Sequence, residues 1–256
     1  MQKLRYLVKM SNLNYRHIAF FALLIMSLAA VAQDNDKILN RQYADMKRVH
    51  YGFSVGCNFQ DLKLTNNAFI SEDGQAWFAD IPNHSPGFSV NVLADLRLSE
   101  HFNLRLTPGM YFGNKVVKYF NANAPEDALD PTIRKQSQNI KSTYIVVPID
   151  LKFSSKRYHN IRPYFTGGVT ALYDLSKERP EQIRLKDFDV MLTVGLGCDF
   201  YLPFFKLCPE VKFCFGLMNL LETKRPDLQD NPTMEVFTKS VSKIKNNMVV
   251  VTFYFE

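Results

Sequence analysis

After its first 32 residues the sequence lacks any apolar run approaching the ~20 residues of a membrane-spanning helix. A crossing of the bilayer must then use a closed sheet, because only helices and closed barrels satisfy every backbone group in lipid. Tryptophan is reduced to Trp77, and cysteine to Cys57, Cys198, Cys208 and Cys214. No Cys-x-x-Cys pair occurs, which argues against zinc knuckles and dithiol redox motifs. Cys57 and Cys198 fall on the apolar side of alternating stretches, so the cysteines read as small hydrophobes rather than bridges. An excess of one charge is also missing. The chain has 31 Lys+Arg and 25 Asp+Glu, but Lys3, Arg5, Lys9 and Arg16 sit in the leading segment, and without them 27 face 25. That balance leaves no nucleic-acid footprint. Phosphate-cradling glycine loops, calcium loops and metal constellations are absent too, so no cofactor, metal or small-molecule substrate is expected.

The leading segment carries those basic residues and no acid, followed by the apolar run Ile18 to Val31. Ala30-Val31-Ala32 before Gln33 fits a small-residue cleavage site, so residues 1–32 are expected to be a signal peptide removed on export. Residues 33–49 are charged and mixed, with Ile38, Leu39, Tyr43 and Met46 at loosely helical spacing. They read as a periplasmic lead into a domain covering 50–256.

What is present in abundance is two-residue alternation. In Val190–Phe200 the residues Val190, Leu192, Val194, Leu196, Cys198 and Phe200 share one face, and Thr193, Gly195, Gly197 and Asp199 the other. In Leu207–Leu217 the residues Leu207, Val211, Phe213, Phe215 and Leu217 oppose Glu210, Lys212 and Gly216. An apolar face set against a charged and glycine-rich one over about 10 residues is the pattern of a transmembrane β-strand. The same alternation predicts strands at Tyr51–Leu64, Phe88–Leu98, Leu104–Val117, Thr143–Phe153, Ile161–Tyr173 and Met248–Glu256. Pro108 suggests a bulge in the third of these. The segments 65–86, 121–140, 174–186 and 219–246 read as long polar loops, alternating with short turns. Within the last loop, Met234, Phe237, Val241 and Ile244 follow an amphipathic helical spacing. The expected fold is all-β: an eight-stranded antiparallel up-and-down transmembrane barrel in a Gram-negative outer membrane, both termini periplasmic.

Strand parity assigns an inward set of Arg97, Arg105, Lys152, Arg162 and Lys212 with Asp95, Asp150, Asp189, Asp199 and Glu210. Five charges of each sign in a narrow lumen read as a salt-bridged plug, since buried charges must be paired. A charged substrate path would show one dominant sign. Catalysis finds little support. His50, His101 and His159 are placed at the periplasmic end, which leaves His84 beside Ser85 in a loop as an isolated pair.

Three stretches resemble a known family: Ile145-Val-Val-Pro-Ile-Asp-Leu-Lys-Phe153, Arg162-Pro-Tyr-Phe-Thr-Gly-Gly-Val169, and the run from Gly195 through Glu210 and Gly216 to Leu221. They are similar to the PorT-type outer-membrane β-barrels. That resemblance implies a non-enzymatic accessory of the type IX secretion system and gliding motility, with outer-membrane lipid and other secretion components as partners. It carries over no catalytic residues. A structural or adhesive barrel without a secretion role stays open as an alternative. So does a soluble periplasmic lipocalin-like binder, in which the apolar face would line a ligand cavity.

Overall fold

Period-two alternation becomes a sheet that closes on itself. The computed structural model describes residues 38–67, 77–80, 86–121, 123, 135–176, 185–222 and 240–256. Their strands are β1 (Val49–Asn66), β2 (Trp77–Asp80), β3 (Pro86–Arg97), β4 (Phe102–Leu106), β5 (Gly109–Asn121), β6 (Lys135–Ser154), β7 (Ile161–Asp174), β8 (Phe188–Tyr201), β9 (Lys206–Gly216) and β10 (Val241–Phe255). All pairings are antiparallel, and β1 pairs with both β10 and β3, so the ring has no free edge along this seam. Here β2 and β3 lie in succession along β5, and β4 and β5 in succession along β6, which gives eight staves. Asn40–Glu256 forms one compact unit.

The wall is inside-out relative to a soluble protein. Phe53, Val55, Val90, Val92, Ile149, Leu151, Phe165, Leu192 and Phe213 are exposed on the outer surface. Asp95, Arg105, Asp150, Lys152 and Asp199 are buried on the inner one. An apolar exterior of this extent is stable only against lipid, which overturns the lipocalin-like alternative. Phe53 stacks on Phe255 at 5.1 Å and Phe102 lies 5.1 Å from Phe153. These rings gather at the end of the barrel that holds Glu256 and the connections 98–101, 155–160 and 202–205, called here the near end. Among the cysteines, all four are free thiols: Cys57 faces out, while Cys208 and Cys214 are buried inside.

Toward the far end the wall changes polarity. On β1, Phe59 is exposed and Gln60 buried, but from the next rung Leu62 is buried and Lys63 exposed. On β10 the outward face changes likewise, from Val249 to Lys245, while the inward residues Met248 and Ile244 are apolar on both sides of the boundary. Leu62, Ala79, Val117, Tyr119, Ile140, Leu220, Leu221, Val241 and Ile244 form an apolar core inside this extension. The strands therefore run out of lipid into water, and the alternation inverts where they do so.

This inversion explains where the strand lengths differ from the sequence expectation. The segment 121–140 is not all loop, because β6 starts at Lys135. Trp77–Asp80 pairs with β5, so part of 65–86 is strand. In 219–246 the helical spacing of Val241 and Ile244 has another cause. Ser242 is an extra residue in β10 between Lys243, opposite Thr65, and Val241, opposite Asn66, and this bulge turns both apolar side chains inward. Met234 and Phe237 lie outside the described residues, as do residues 1–32 and the pair His84 and Ser85. Pro108 interrupts the ladder without a bulge. Ala94 faces Leu106 and Asn91 faces Gly109, so the register continues unchanged across the break.

Candidate functional site

The most built part of the molecule is the near half of its interior. Arg105, on the inner face of β4, is its hub. Its Nε and Nη2 donate to Asp95 Oδ2 at 3.1 and 3.0 Å, its Nη1 to Glu210 Oε2 at 3.2 Å, and Nη2 also to Glu256 Oε1 at 3.3 Å. The guanidinium lies 5.3 Å from the Tyr164 ring centre and 4.7 Å from that of Tyr254. Lys152 Nζ donates to both Asp199 oxygens at 2.8 and 2.7 Å and sits 4.0 Å from the centre of the Tyr164 ring. Lys212 Nζ donates to Asp150 Oδ2 at 2.5 Å and pairs with Glu210 at 3.3 Å. Thr193 Oγ1 donates to the other oxygen of Asp150 at 2.7 Å. Lys206 pairs with Glu256 and lies 4.0 Å from Asp199.

Alternation alone puts these side chains inward, and barrel curvature brings them within hydrogen-bond reach of one another. Glycine supplies the remaining space. A Cβ at Gly197 would run into the ring and hydroxyl of Tyr164, so that ring reaches the centre of the interior only because β8 has no side chain there.

Of the ten residues assigned inward from sequence, the structure brings seven together: Asp95, Arg105, Asp150, Lys152, Asp199, Glu210 and Lys212. The other three stand apart. Arg97 is half-buried at the near rim, where its Nε donates to Ser99 O at 3.3 Å. Arg162 donates to Ser155 O and Glu100 O at 2.8 and 2.6 Å, and pairs with Asp45 at 3.3 Å. Asp189 lies toward the far end, where one carboxylate oxygen accepts the Val190 N–H at 2.8 Å. Parity missed Lys206 and Glu256. Both carry the inward even-numbered phase of β9 and β10 to the near rim: Lys206 lies one residue before the stretch read as a strand, and Glu256 is the final residue of the other, in phase with the buried Thr252 and Tyr254.

The near rim is closed by the lead. Asn40 donates its N–H to Asn160 Oδ1 at 2.9 Å and its Nδ2 to Tyr201 O at 3.0 Å. Arg41 donates to the Glu256 backbone oxygen at 2.8 Å. A short 3-10 turn, Ala44–Met46, points Asp45 at the rim, where it accepts from Tyr201 Oη at 2.5 Å and pairs with Arg157 at 3.6 Å. This segment is thus hydrogen-bonded across the barrel mouth and not a free linker. Above the charge layer, Tyr111, Tyr144, Val146, Leu172, Met191, Cys214, Met248 and Val250 fill the interior as a buried cluster. Among the described residues, no group of three or more His, Cys, Asp or Glu side chains is arranged to hold a metal. Chemically the arrangement does one thing well: it pairs buried charges and fills space.

Among solved structures the chain is similar to Neisserial surface protein A, at 9% identity over 81% of this chain and 98% of that one, TM-score 0.38. It is similar to OprG from Pseudomonas aeruginosa at 14% identity, over 81% and 90%, TM-score 0.38. It is also similar to Ail, the attachment invasion locus protein of Yersinia pestis, at 11% identity over 82% and 99%, TM-score 0.35. No curated protein matches. The family model described as outer membrane protein beta-barrel domain matches residues 31–222, well over half of the chain. The chain therefore belongs to the outer-membrane β-barrel domain family.

Proposed function

We propose that this outer-membrane barrel is a sealed, non-enzymatic structural or adhesive barrel whose working surfaces are its two ends. The observation that carries the reading is the layer around Arg105, where buried carboxylates of β3, β9 and the chain end converge on one guanidinium. A conducting pore needs mobile water along its axis. Here ion pairs, Tyr164 and Tyr254 occupy that axis, and the tyrosine and apolar cluster follows above them. In this reading the near end faces the periplasm, because bacterial barrels put short turns there and longer loops outside. Purified protein in planar bilayers should show no steady conductance; a stable open channel of porin size would sink the proposal.

A second reading is an accessory role in secretion, favoured by the likeness of the Gly195–Leu221 stretch to PorT-type barrels. An eight-stranded barrel has an interior that side chains fill, so it cannot pass a folded protein. The role would be indirect, through a partner bound at one end, and the ordered segment Asn40–Met46 offers a shaped surface for that. A clean deletion strain separates the two. Blocked cargo secretion with an otherwise intact outer membrane supports the accessory, and normal secretion leaves the scaffold.

A further inference from the structure

The polarity inversion leaves an unusual charge arrangement on the outer wall. Lys63 on β1 is directly opposite Lys245 on β10, and Lys243 is one rung further on the same face, opposite Thr65. Like charges directly across a strand pair repel. Lys63 and Lys243 are exposed and Lys245 is half-buried, so these ammonium groups share one outward patch. Asp61, one rung nearer the apolar band and opposite Asn247, offsets one of the three charges and leaves a positive surplus.

The height of the patch decides what meets it. Phe59 and its partner Val249 are the last apolar outward pair on this seam. Lys63 lies four residues beyond Phe59. At about 3.3 Å per residue and a tilt of about 40°, that is roughly 10 Å above the hydrocarbon edge. The headgroup region of a bilayer is of that order, about 5–8 Å per leaflet before local undulation. Lysine side chains there reach phosphate, the one abundant anion of that layer, and the repulsion between Lys63 and Lys245 is relieved when a phosphate sits between them.

We infer that the β1–β10 seam is a binding site for a lipid phosphate, with Lys63, Lys245 and Lys243 as its ligands. The lipid is a phosphorylated glycolipid of the outer leaflet. That last assignment rests on the orientation proposed above, which turns the far end outward. One lipid held at the seam where the chain's first and last strands meet would clamp the closure of the ring from outside.

The test uses the full protein folded in nanodiscs of phosphatidylcholine doped with purified lipid A, with phosphatidylglycerol doping as the comparison. Native mass spectrometry counts retained lipids. The wild type should keep one lipid A per barrel. The Lys63→Gln/Lys243→Gln/Lys245→Gln variant should lose it by at least tenfold, and arginine at the same three positions should restore it. Lys156→Gln, exposed in the near-end connection 155–160, should change nothing. Because the lysines point away from the barrel, the variants should fold, and the heat-dependent gel shift checks this. Should the triple variant misfold, Lys245→Gln alone must still lower retention. Undiminished retention in a folded variant overturns the site. Equal retention of phosphatidylglycerol, or full competition by inorganic phosphate, overturns the glycolipid assignment. A conducting wild-type barrel would refute the sealed-scaffold reading without altering the lipid count, so the two failures are distinguishable.

Discussion

Arg105 and Asp95 face each other across β3 and β4, with two guanidinium nitrogens on one carboxylate oxygen at 3.1 and 3.0 Å. Glu210 and Glu256 reach the same guanidinium, so a single cation serves three buried acids. Within the described network Asp95, Asp150, Asp199, Glu210 and Glu256 face Arg105, Lys152, Lys206 and Lys212, one acid more than cations. His50, 3.9 Å from Glu256, is the neighbour able to supply a further positive charge when protonated.

The asymmetry makes the two sides of one ion pair unequal. Arg105→Met removes the common partner of three acids and should cost at least the roughly 3–5 kcal/mol of breaking a buried pair. Glu210→Gln removes the surplus negative charge, while Arg105 keeps Asp95 and Glu256 and Lys212 keeps Asp150. Its cost should be about 1 kcal/mol, that of a weakened hydrogen bond. The midpoint of the heat-dependent gel shift reads both. If Glu210→Gln is as damaging as Arg105→Met, the surplus-acid account is wrong.

Gly197 makes a second contrast possible. Its added Cβ would collide with Tyr164, whereas one at Gly167 meets nothing closer than 4.0 Å. Gly197→Ala should therefore push Tyr164 away from Arg105 and Lys152, at about 1–3 kcal/mol of overpacking. Gly167→Ala should be close to neutral. Urea unfolding of the two variants in detergent provides the comparison, and equal midpoints would contradict the packing.

How much of this the sequence discloses depends on where the wall sits. Inside the lipid band the phase is legible, because Tyr51, Phe53, Val55, Cys57 and Phe59 alternate with Gly52, Ser54, Asn58 and Gln60 and lipid keeps every outward position apolar. Beyond it Leu62 turns inward while Lys63 turns outward, so the strand is still legible to Leu64 but the apolar face no longer marks the outside. The Ser242 bulge then mimics a helical period at Val241 and Ile244. The charge layer is legible for the same reason as the strands, since parity alone sends Arg105 and Asp150 inward. Asp45 is different. It meets Arg162 across 117 positions of sequence through a docked lead without periodicity, and no local pattern records such a contact.

That contact is testable. Asp45 is held by Tyr201, Arg157 and Arg162, and Asp45→Ala removes the acceptor for all three. Asp45 and the two arginines are partly exposed while Tyr201 is buried, so the barrel itself should lose about 1–2 kcal/mol, most of it the tyrosine hydroxyl's lost acceptor. The lead should come loose instead. Trypsin cleavage at Arg41 and Lys47 in the folded protein should speed up several-fold, with the heat-dependent gel shift retained. An unchanged cleavage rate would mean that the backbone bonds of Asn40 and Arg41 hold the segment without Asp45.

The inversion of polarity predicts a depth profile along a single strand. Val55 and Thr65 both point outward from β1, five rungs apart on the same face. Val55 pairs with Phe253 on one side and Val90 on the other, in the middle of the apolar band. Thr65 pairs with Lys243 beyond it. An arginine at mid-bilayer in a barrel wall costs about 2–4 kcal/mol, falling to about 0–1 near the interface. Val55→Arg should therefore lower folding stability in lipid vesicles by about that larger amount. Thr65→Arg should cost under about 1 kcal/mol, most of it repulsion from Lys243 that added salt reduces. Reversible urea titrations in vesicles at low and high salt separate these effects. Equal losses at the two positions would mean that lipid still covers the far-end extension, and the boundary drawn between Phe59 and Lys63 would have to move.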